Sequence, residues 1–450
     1  MRRIAFLFLA AISLACAAMA ATRPRYGGTL RVTLQSAPNT LEMPANSAPS
    51  DYWDTARVLG LVTDNLVTID FQNRPHPALA VAWQSDAGAR HWQFTLRQGV
   101  KFHDGSLASA GAIAQLLGAL HPDWNVHASG DSLAIEAENP LPSLLAELAL
   151  PRNLILKRNA DGLPIGTGAF RVAEWQPGKL LTLVANEESW SGRPLLDAVE
   201  IEFGKSLRDQ AIALELGKTD VIEAAPQANG SNASSPLRIS LPVELLALVF
   251  PANSKAQDAR LREALALSID RKPIQSVLLK GAGEPAASVL PNWMTGYSSV
   301  FSTQANGQRA KVVLAESRQP ALTLSYDPRD PPAQLIAERI ALNAREAGIT
   351  VQVSLSGADD LRLVRVALLS ADPATSLREA ARQLGLPQPV VRGNTVEDLY
   401  QAEHTLLDGH ALIPLFHLPV ASAAGARVRG WAPDRLGGWN LPDLWLGDSR

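Results

Sequence analysis

Cysteine is almost missing from this 450-residue sequence, which carries one, Cys16. No second thiol is available for a disulfide, so stability must come from core burial, for which a chain of this length suffices. Long apolar runs are missing too. Past the N-terminus no stretch reaches about 18 uninterrupted apolar residues, the signature of a membrane-spanning helix. An excess of one charge is also absent: 41 Lys and Arg stand against 44 Asp and Glu, a net of −3. No basic run is interleaved with aromatics, which argues against nucleic acid or an anionic membrane surface as partner. Catalytic patterns are lacking as well. There is no G-x-S-x-G, H-E-x-x-H, G-x-x-x-x-G-K-[ST] or C-x-x-C, so no nucleophile, zinc or phosphate-binding motif is visible. The eight histidines are scattered. His121 and His127 flank Trp124 at a loose metal-ligand spacing but read as surface loop residues, and His103 reads as a turn or surface histidine. The expectation is a chain that is no enzyme, with no cofactor and no metal site.

What is present begins with a targeting segment. Arg2 and Arg3 form a positive start, residues 4–15 a short apolar core, and Ala18-Met19-Ala20 an A-x-A cleavage site. This pattern predicts a signal peptide over 1–20 and a mature chain beginning at Ala21, delivered to the periplasm. Lipid attachment at Cys16 is the minor alternative, because the leucine of Ser13-Leu14-Ala15-Cys16 sits one place late for a lipobox.

The 450 residues suggest two or three domains at about 150 residues each. Residues 91–97 alternate cleanly, with Trp92, Phe94 and Leu96 on one side, and predict a half-buried strand. The stretch 164–203 predicts three strands with turns between them. Gly166 and Gly168 bracket Thr167, so the backbone can bend or approach a neighbour where no Cβ would fit, Phe170, Val172 and Trp175 alternate with polar residues, and Pro177-Gly178 is turn chemistry. Helices are expected over 51–66, 109–120, 142–150, with Ser143 as a candidate cap, and 258–269. Asp270 is expected to cap the helix that follows, which Gly281 ends. Residues 239–250 are apolar and extended. Residues 322–326, 331–347 and 349–355 predict a βαβ unit with parallel strands.

Two of these runs go beyond local physics. The segment PIGTGAFRVAEWQPGK with the polar NEESWSGRP behind it, and the earlier PALAVAW with HWQFTLRQGVKFHDG, resemble the extracytoplasmic solute-binding proteins of ABC importers, the family 5 that includes peptide- and nickel-binding members. The resemblance implies an α/β fold of two lobes, the periplasmic-binding-protein-like type II architecture, with an extra small subdomain in lobe one and a hinge between lobes. It places lobe I at 21–250, including the small subdomain at about 71–163, lobe II at 251–419, and a C-terminal return to lobe I at 420–450.

The resemblance also implies ligand contacts. ELALPR, residues 147–152, looks like the nickel-binding branch, in which an arginine lines the cleft; Arg152 is the matching position, and its alternative is a surface arginine ending a helix. In the family an aspartate within a W-x-x-D-Y-x-D-P-like segment meets a peptide's ammonium. Here LVRVALLSADP puts Asp372 on the aspartate before proline, while Ala367 and Ala371 stand near the tryptophan and tyrosine positions. Arg365 is a second cleft candidate from the same strand. The expected function is capture of a small peptide or related solute between the lobes and delivery to an ABC permease, by a monomer. A metal chelate as ligand, or a sensor or structural role on the same fold, is the alternative.

Overall fold

Two 13-residue strands, Leu237–Val249 and Leu412–Ala424, run antiparallel through the middle of the molecule. At about 3.4 Å per residue each spans roughly 40 Å, enough to pass from one packed body into another. The computed structural model describes residues 23–43, 49–226, 237–315, 320–355, 359–393 and 395–448. The expected signal peptide, Cys16 and the loop 228–236 lie outside the described residues.

Each long strand belongs to both lobes. The far end of Leu412–Ala424 pairs with Val221–Ala224 on the lobe I side, and the far end of Leu237–Val249 pairs with Leu361–Ala367 on the lobe II side. One sheet therefore runs across the molecule. From the lobe I edge its order is Phe170–Gln176, Leu180–Ala185, Ala198–Glu202, Thr29–Thr33 and Val221–Ala224. The two long strands follow, then Leu361–Ala367, Leu322–Tyr326 and Val351–Ser354. Where the long strands cross between lobes, Pro242 faces Pro419, and the register breaks on either side of Pro242. Proline has no N–H to give to a ladder, so the pairing is thinnest at this point.

Leu245, Ala247 and Val249 pack into one lobe II core and Leu246, Leu248 and Phe250 into the other, on the opposite face of the sheet. The strand is continuous and apolar beyond Pro242, so no composition change marks the crossing.

Lobe I is built on Leu30, Val32, Leu181, Leu183, Val199 and Ile201, one alternating face of its strands, covered by the helix Pro49–Val62. The small subdomain has its own core under a four-stranded sheet, in which Trp92, Phe94 and Leu96 are buried as the alternation requires. The helix Ala110–Leu120 closes that core, and the Ser109 hydroxyl accepts from Ala112 N at its start. Ser143 makes no such bond ahead of the short helix Leu144–Leu148. In lobe II, the helices Ala259–Ser268 and Ala333–Glu346 cover one sheet face, and Pro373–Gln383 and Val396–Leu407 the other. Leu322–Tyr326, Ala333–Glu346 and Val351–Ser354 form the parallel βαβ unit.

Gly166 and Gly168 sit against the end of the helix Pro49–Val62. A Cβ on Gly168 would lie 2.6 Å from the Val62 carbonyl carbon and 2.8 Å from Thr63 N, and one on Gly166 would overlap the Val62 oxygen. Between them Thr167 Oγ1 donates to Asp64 Oδ2 at 2.7 Å, and Trp190 Nε1 donates to the same oxygen at 2.9 Å. The His103 ring, in a turn as expected and half-buried, lies 3.1 Å from the Gly168 carbonyl oxygen. These contacts bind the small subdomain to lobe I.

Gly168→Ala is expected to destabilise the fold by at least about 2 kcal/mol, because backbone, not a movable side chain, blocks the new methyl. Gly60, exposed in the interior of Pro49–Val62 with open space around its Cβ direction, gives the opposite case. Gly60→Ala is expected to stabilise by about 0.5–1 kcal/mol. Urea unfolding midpoints of the two variants measure both; a Gly168→Ala midpoint equal to the parent's would refute the close-packing account.

Candidate functional site

The lobes meet across a small apolar seam. Tyr52 and Trp53 of lobe I pack with Val243 beside the crossing and with Ala367, Leu369 and Trp293 of lobe II. Trp293 Nε1 donates to the Pro242 carbonyl at 2.9 Å, tying lobe II to the crossing itself.

At one end of the seam lies a network of charge. Glu379, on Pro373–Gln383 and 1% exposed, receives Arg152 from the small subdomain. Tyr52 Oη donates to Glu379 Oε1 at 2.8 Å, and Arg382 reaches the same carboxylate with Nε at 2.9 Å and Nη2 at 2.7 Å. Arg152 is also held by Glu147, Nε to Oε1 at 3.0 Å. Burial opposes ionisation of Glu379, but Arg382 and Arg152 outweigh it and keep its carboxyl below the usual range. Gln383 Nε2 also donates to Oε1 at 3.4 Å, and a buried carboxylate with four donor side chains from two lobes is a closure contact. Removing one partner from such a cluster typically costs several kcal/mol where the remaining charge cannot reach water.

The three residues singled out from the sequence fall in different places. Arg152 belongs to this network. Asp372 caps Pro373–Gln383, accepting from Thr375 N at 2.8 Å, and its other oxygen accepts from Asn73 Nδ2 of lobe I at 3.2 Å. Arg365 lies on the far side of the seam, paired with Asp330 at 2.7 and 3.0 Å and with Glu244 at 3.0 Å. Arg152 and Asp372 thus both touch the opposite lobe through protein partners, and Arg365 is brought together with neither.

Arg365 instead lines a crevice of about 410 Å³ between the lobes. Lobe I supplies residues 35–36, 53–57 and 223–226, lobe II supplies 278–282 and 327–335, and the long strands floor it with Glu244 and 418–421. Gln35 Nε2 donates across it to the Arg329 carbonyl oxygen. Asp54 accepts from Arg57 at 3.0 Å, and the Arg57 guanidinium lies 4.7 Å from the Trp53 ring centre and 5.5 Å from that of Trp439. Glu223 Oε2 accepts from Gln35 N at 2.5 Å and Gln210 Nε2 at 3.3 Å. Burial, with the nearby Asp54 charge, pushes the Glu223 carboxyl up to about 8; burial also raises Glu244, against the pull of Arg365. None of Trp53, Asp54 or Glu223 was legible as a site residue, for each sits in an ordinary helix or strand pattern.

A hollow of similar volume lies on the outer face of the small subdomain's sheet, lined by His91, His127 and Glu136 among others. It faces no second lobe, so no closure can act on it. His127 lies on the strand Trp124–Ser129, while His121 stacks on Trp124 with centroids 3.6 Å apart and contacts Asn153 at 2.6 Å. Among the described residues no group of three or more His, Cys, Asp or Glu is placed to hold a metal ion.

Glu223 predicts a pH dependence. A carboxyl with its pKa raised from 4.5 to about 8 on folding favours the folded state below pH 4.5 and loses that advantage as pH rises through 8. Between pH 5 and 8 the parent should lose on the order of a few kcal/mol relative to Glu223→Gln. Urea titrations across that range measure it, and parallel curves for the two proteins would refute the assignment.

Comparison with known proteins bears on this geometry. The chain is 23% identical over 290 residues to the nickel-binding protein NikA of Staphylococcus aureus, covering 59% of this chain and 58% of that one. It is 25% identical over 311 residues to a probable D,D-dipeptide-binding periplasmic protein, DdpA, of Escherichia coli, covering 61% and 60%. The matched stretch thus spans less than two thirds of either relative. The solved structure of AgaA from A. tumefaciens R10, in complex with agropinic acid, superposes with a TM-score of 0.82 at 18% identity over 94% of this chain and 99% of that chain. Such likeness shows the fold, a two-lobe periplasmic-binding-protein architecture of the type II class. Residues 74–363 match the model of the bacterial extracellular solute-binding proteins, family 5, and with well over half of its length inside that match the chain belongs to this family.

Proposed function

We propose that this protein is the extracytoplasmic substrate-binding component of an ABC importer, capturing a small peptide or peptide-like solute between its lobes and presenting the closed form to a membrane permease. The observation that carries the reading is the interlobe crevice, lined from both lobes and floored by the two long strands. A solute biases closure only if it binds the closed form better than the open one, which requires contact with both lobes. This crevice offers both. Its volume of about 410 Å³ lies toward the small end of ligand pockets, which run from about 300 to 1,000 Å³, and suits a solute of about dipeptide size. In this reading residues 1–20 direct the chain to the periplasm, where it acts as a monomer.

Within this reading Arg365 faces the solute, while Arg152 and Asp372 support binding by holding the lobes together. The relatives bind either peptides or nickel, as their names state, and one experiment separates the two. In a thermal-shift panel of dipeptides and the nickel–histidine complex, a true ligand at 100-fold its Kd adds about 2.7 kcal/mol of stability. Dipeptides are expected to shift the melting temperature; a shift from the nickel complex alone would replace the peptide reading, and no shift from either would favour the structural role. Arg152→Ala is expected to weaken dipeptide binding about tenfold and to increase the radius of gyration of the unliganded protein in small-angle scattering. An unchanged radius would remove Arg152 from the closure contact.

A further inference from the structure

The charges on the crevice lining cancel. On the lobe I wall Asp54 accepts from Arg57 at 3.0 Å. The other carboxyl there, Glu223, is pushed up to about 8 by burial and by Asp54, so at pH 7 it is mostly protonated and neutral. On the floor and the lobe II wall three carboxylates, Glu244, Asp327 and Asp330, stand against three cations, Lys280, Arg329 and Arg365. Arg365 meets Asp330 at 2.7 Å and Glu244 at 3.0 Å, and Arg329 meets Asp327 at 2.8 Å. A linear dipeptide brings an ammonium and a carboxylate to this lining. The ammonium finds no carboxylate that is not already paired, and taking one from its guanidinium leaves a poorly hydrated charge behind. Lys280 is exposed, and a pair formed in water holds a carboxylate weakly.

A second observation is independent of charge. Two buried polar atoms on lobe I residues of the lining have no hydrogen-bond partner among the described residues: Trp53 Nε1 and Ser36 Oγ, on residues 8% and 7% exposed. An indole N–H can only donate. Both hydrogen bonds to Glu223 land on Oε2, so Oε1 is left to carry the proton as a further donor. This wall therefore asks for acceptor oxygens. A polyol brings a hydroxyl donor with every acceptor it offers, whereas a carbonyl oxygen accepts alone. Ala224 and Ala225 beside these donors, with Leu278 and Leu335 from lobe II, give apolar cover to the rest of a small solute.

Resting on the reading of the crevice as the solute site, we propose that its solute is a compact, uncharged amide with no free termini, a cyclic dipeptide being the simplest, whose carbonyl oxygens accept from the lobe I wall. Joining the two ends of a dipeptide removes both charges that the lining cannot match. It leaves two carbonyl acceptors for Trp53, Ser36 and Glu223, and two small side chains for the apolar cover. The paired guanidinium of Arg365 then bounds the site without having to give up either carboxylate.

Calorimetric titration of the mature chain at pH 7 with cyclic alanyl-alanine and with linear alanyl-alanine tests this. The cyclic form is expected to bind about tenfold tighter than the linear one. Glu244→Gln leaves Arg365 with Asp330 alone and frees part of its charge for a ligand carboxylate, so it should narrow that gap by raising the affinity for linear alanyl-alanine. Trp53→Phe removes one donor and should weaken the cyclic form about fivefold. Equal binding of the two by the parent, or a preference for the linear form, overturns the uncharged solute and leaves the peptide reading standing. Binding of neither overturns both. If either variant fails to fold, the order of the two affinities in the parent still decides the outcome.

Discussion

The structure depends on a ladder that is deliberately incomplete. Two strands carry the chain between lobes, and where they cross, Pro242 faces Pro419 and neither can donate an N–H. On both sides the same strands are fully committed, to Val221–Ala224 in one direction and Leu361–Ala367 in the other. Rigid bodies joined at a thin point can change their angle without disturbing either core, the usual requirement for a hinge. Two positions of a continuous sheet thus separate stiffness from motion.

Much of the fold was legible because its signals are local. The alternation of Trp92, Phe94 and Leu96 and the paired glycines around Thr167 each state a geometry that the structure fulfils: one buried face, and one backbone contact with Val62 that no side chain could share. The βαβ unit of lobe II was equally readable from a single helical face between two apolar runs. The crossing was not, because a strand leaving one core for another keeps its apolar character, and Pro242 alone marks the passage.

The candidate site was less legible for a related reason. Arg152 and Glu379 lie 227 positions apart, and nothing local to either names the other. Trp53 occupies a helical face that any core tryptophan could fill, and what sets it apart is an indole nitrogen with no partner among the described residues. Glu223 ends a strand as many glutamates do, and its character comes from Asp54 and from burial. Resemblance led to Arg152, Asp372 and Arg365, and all three lie at or beside the boundary between lobes. Yet their partners in the structure are protein groups: Glu379 and Glu147 for Arg152, Asn73 for Asp372, and Asp330 and Glu244 for Arg365.

The carboxylate of Glu379 has a kinetic consequence. It gathers Arg152 and Tyr52 from one lobe and Arg382 from the other, so one buried anion holds the two lobes together. A solute meeting a preorganised pocket loses little binding free energy to rearrangement. The toll falls on timing instead: the lobes part only when a guanidinium lets go of a dehydrated anion. Such a latch trades rapid parting of the lobes for long residence in the closed arrangement.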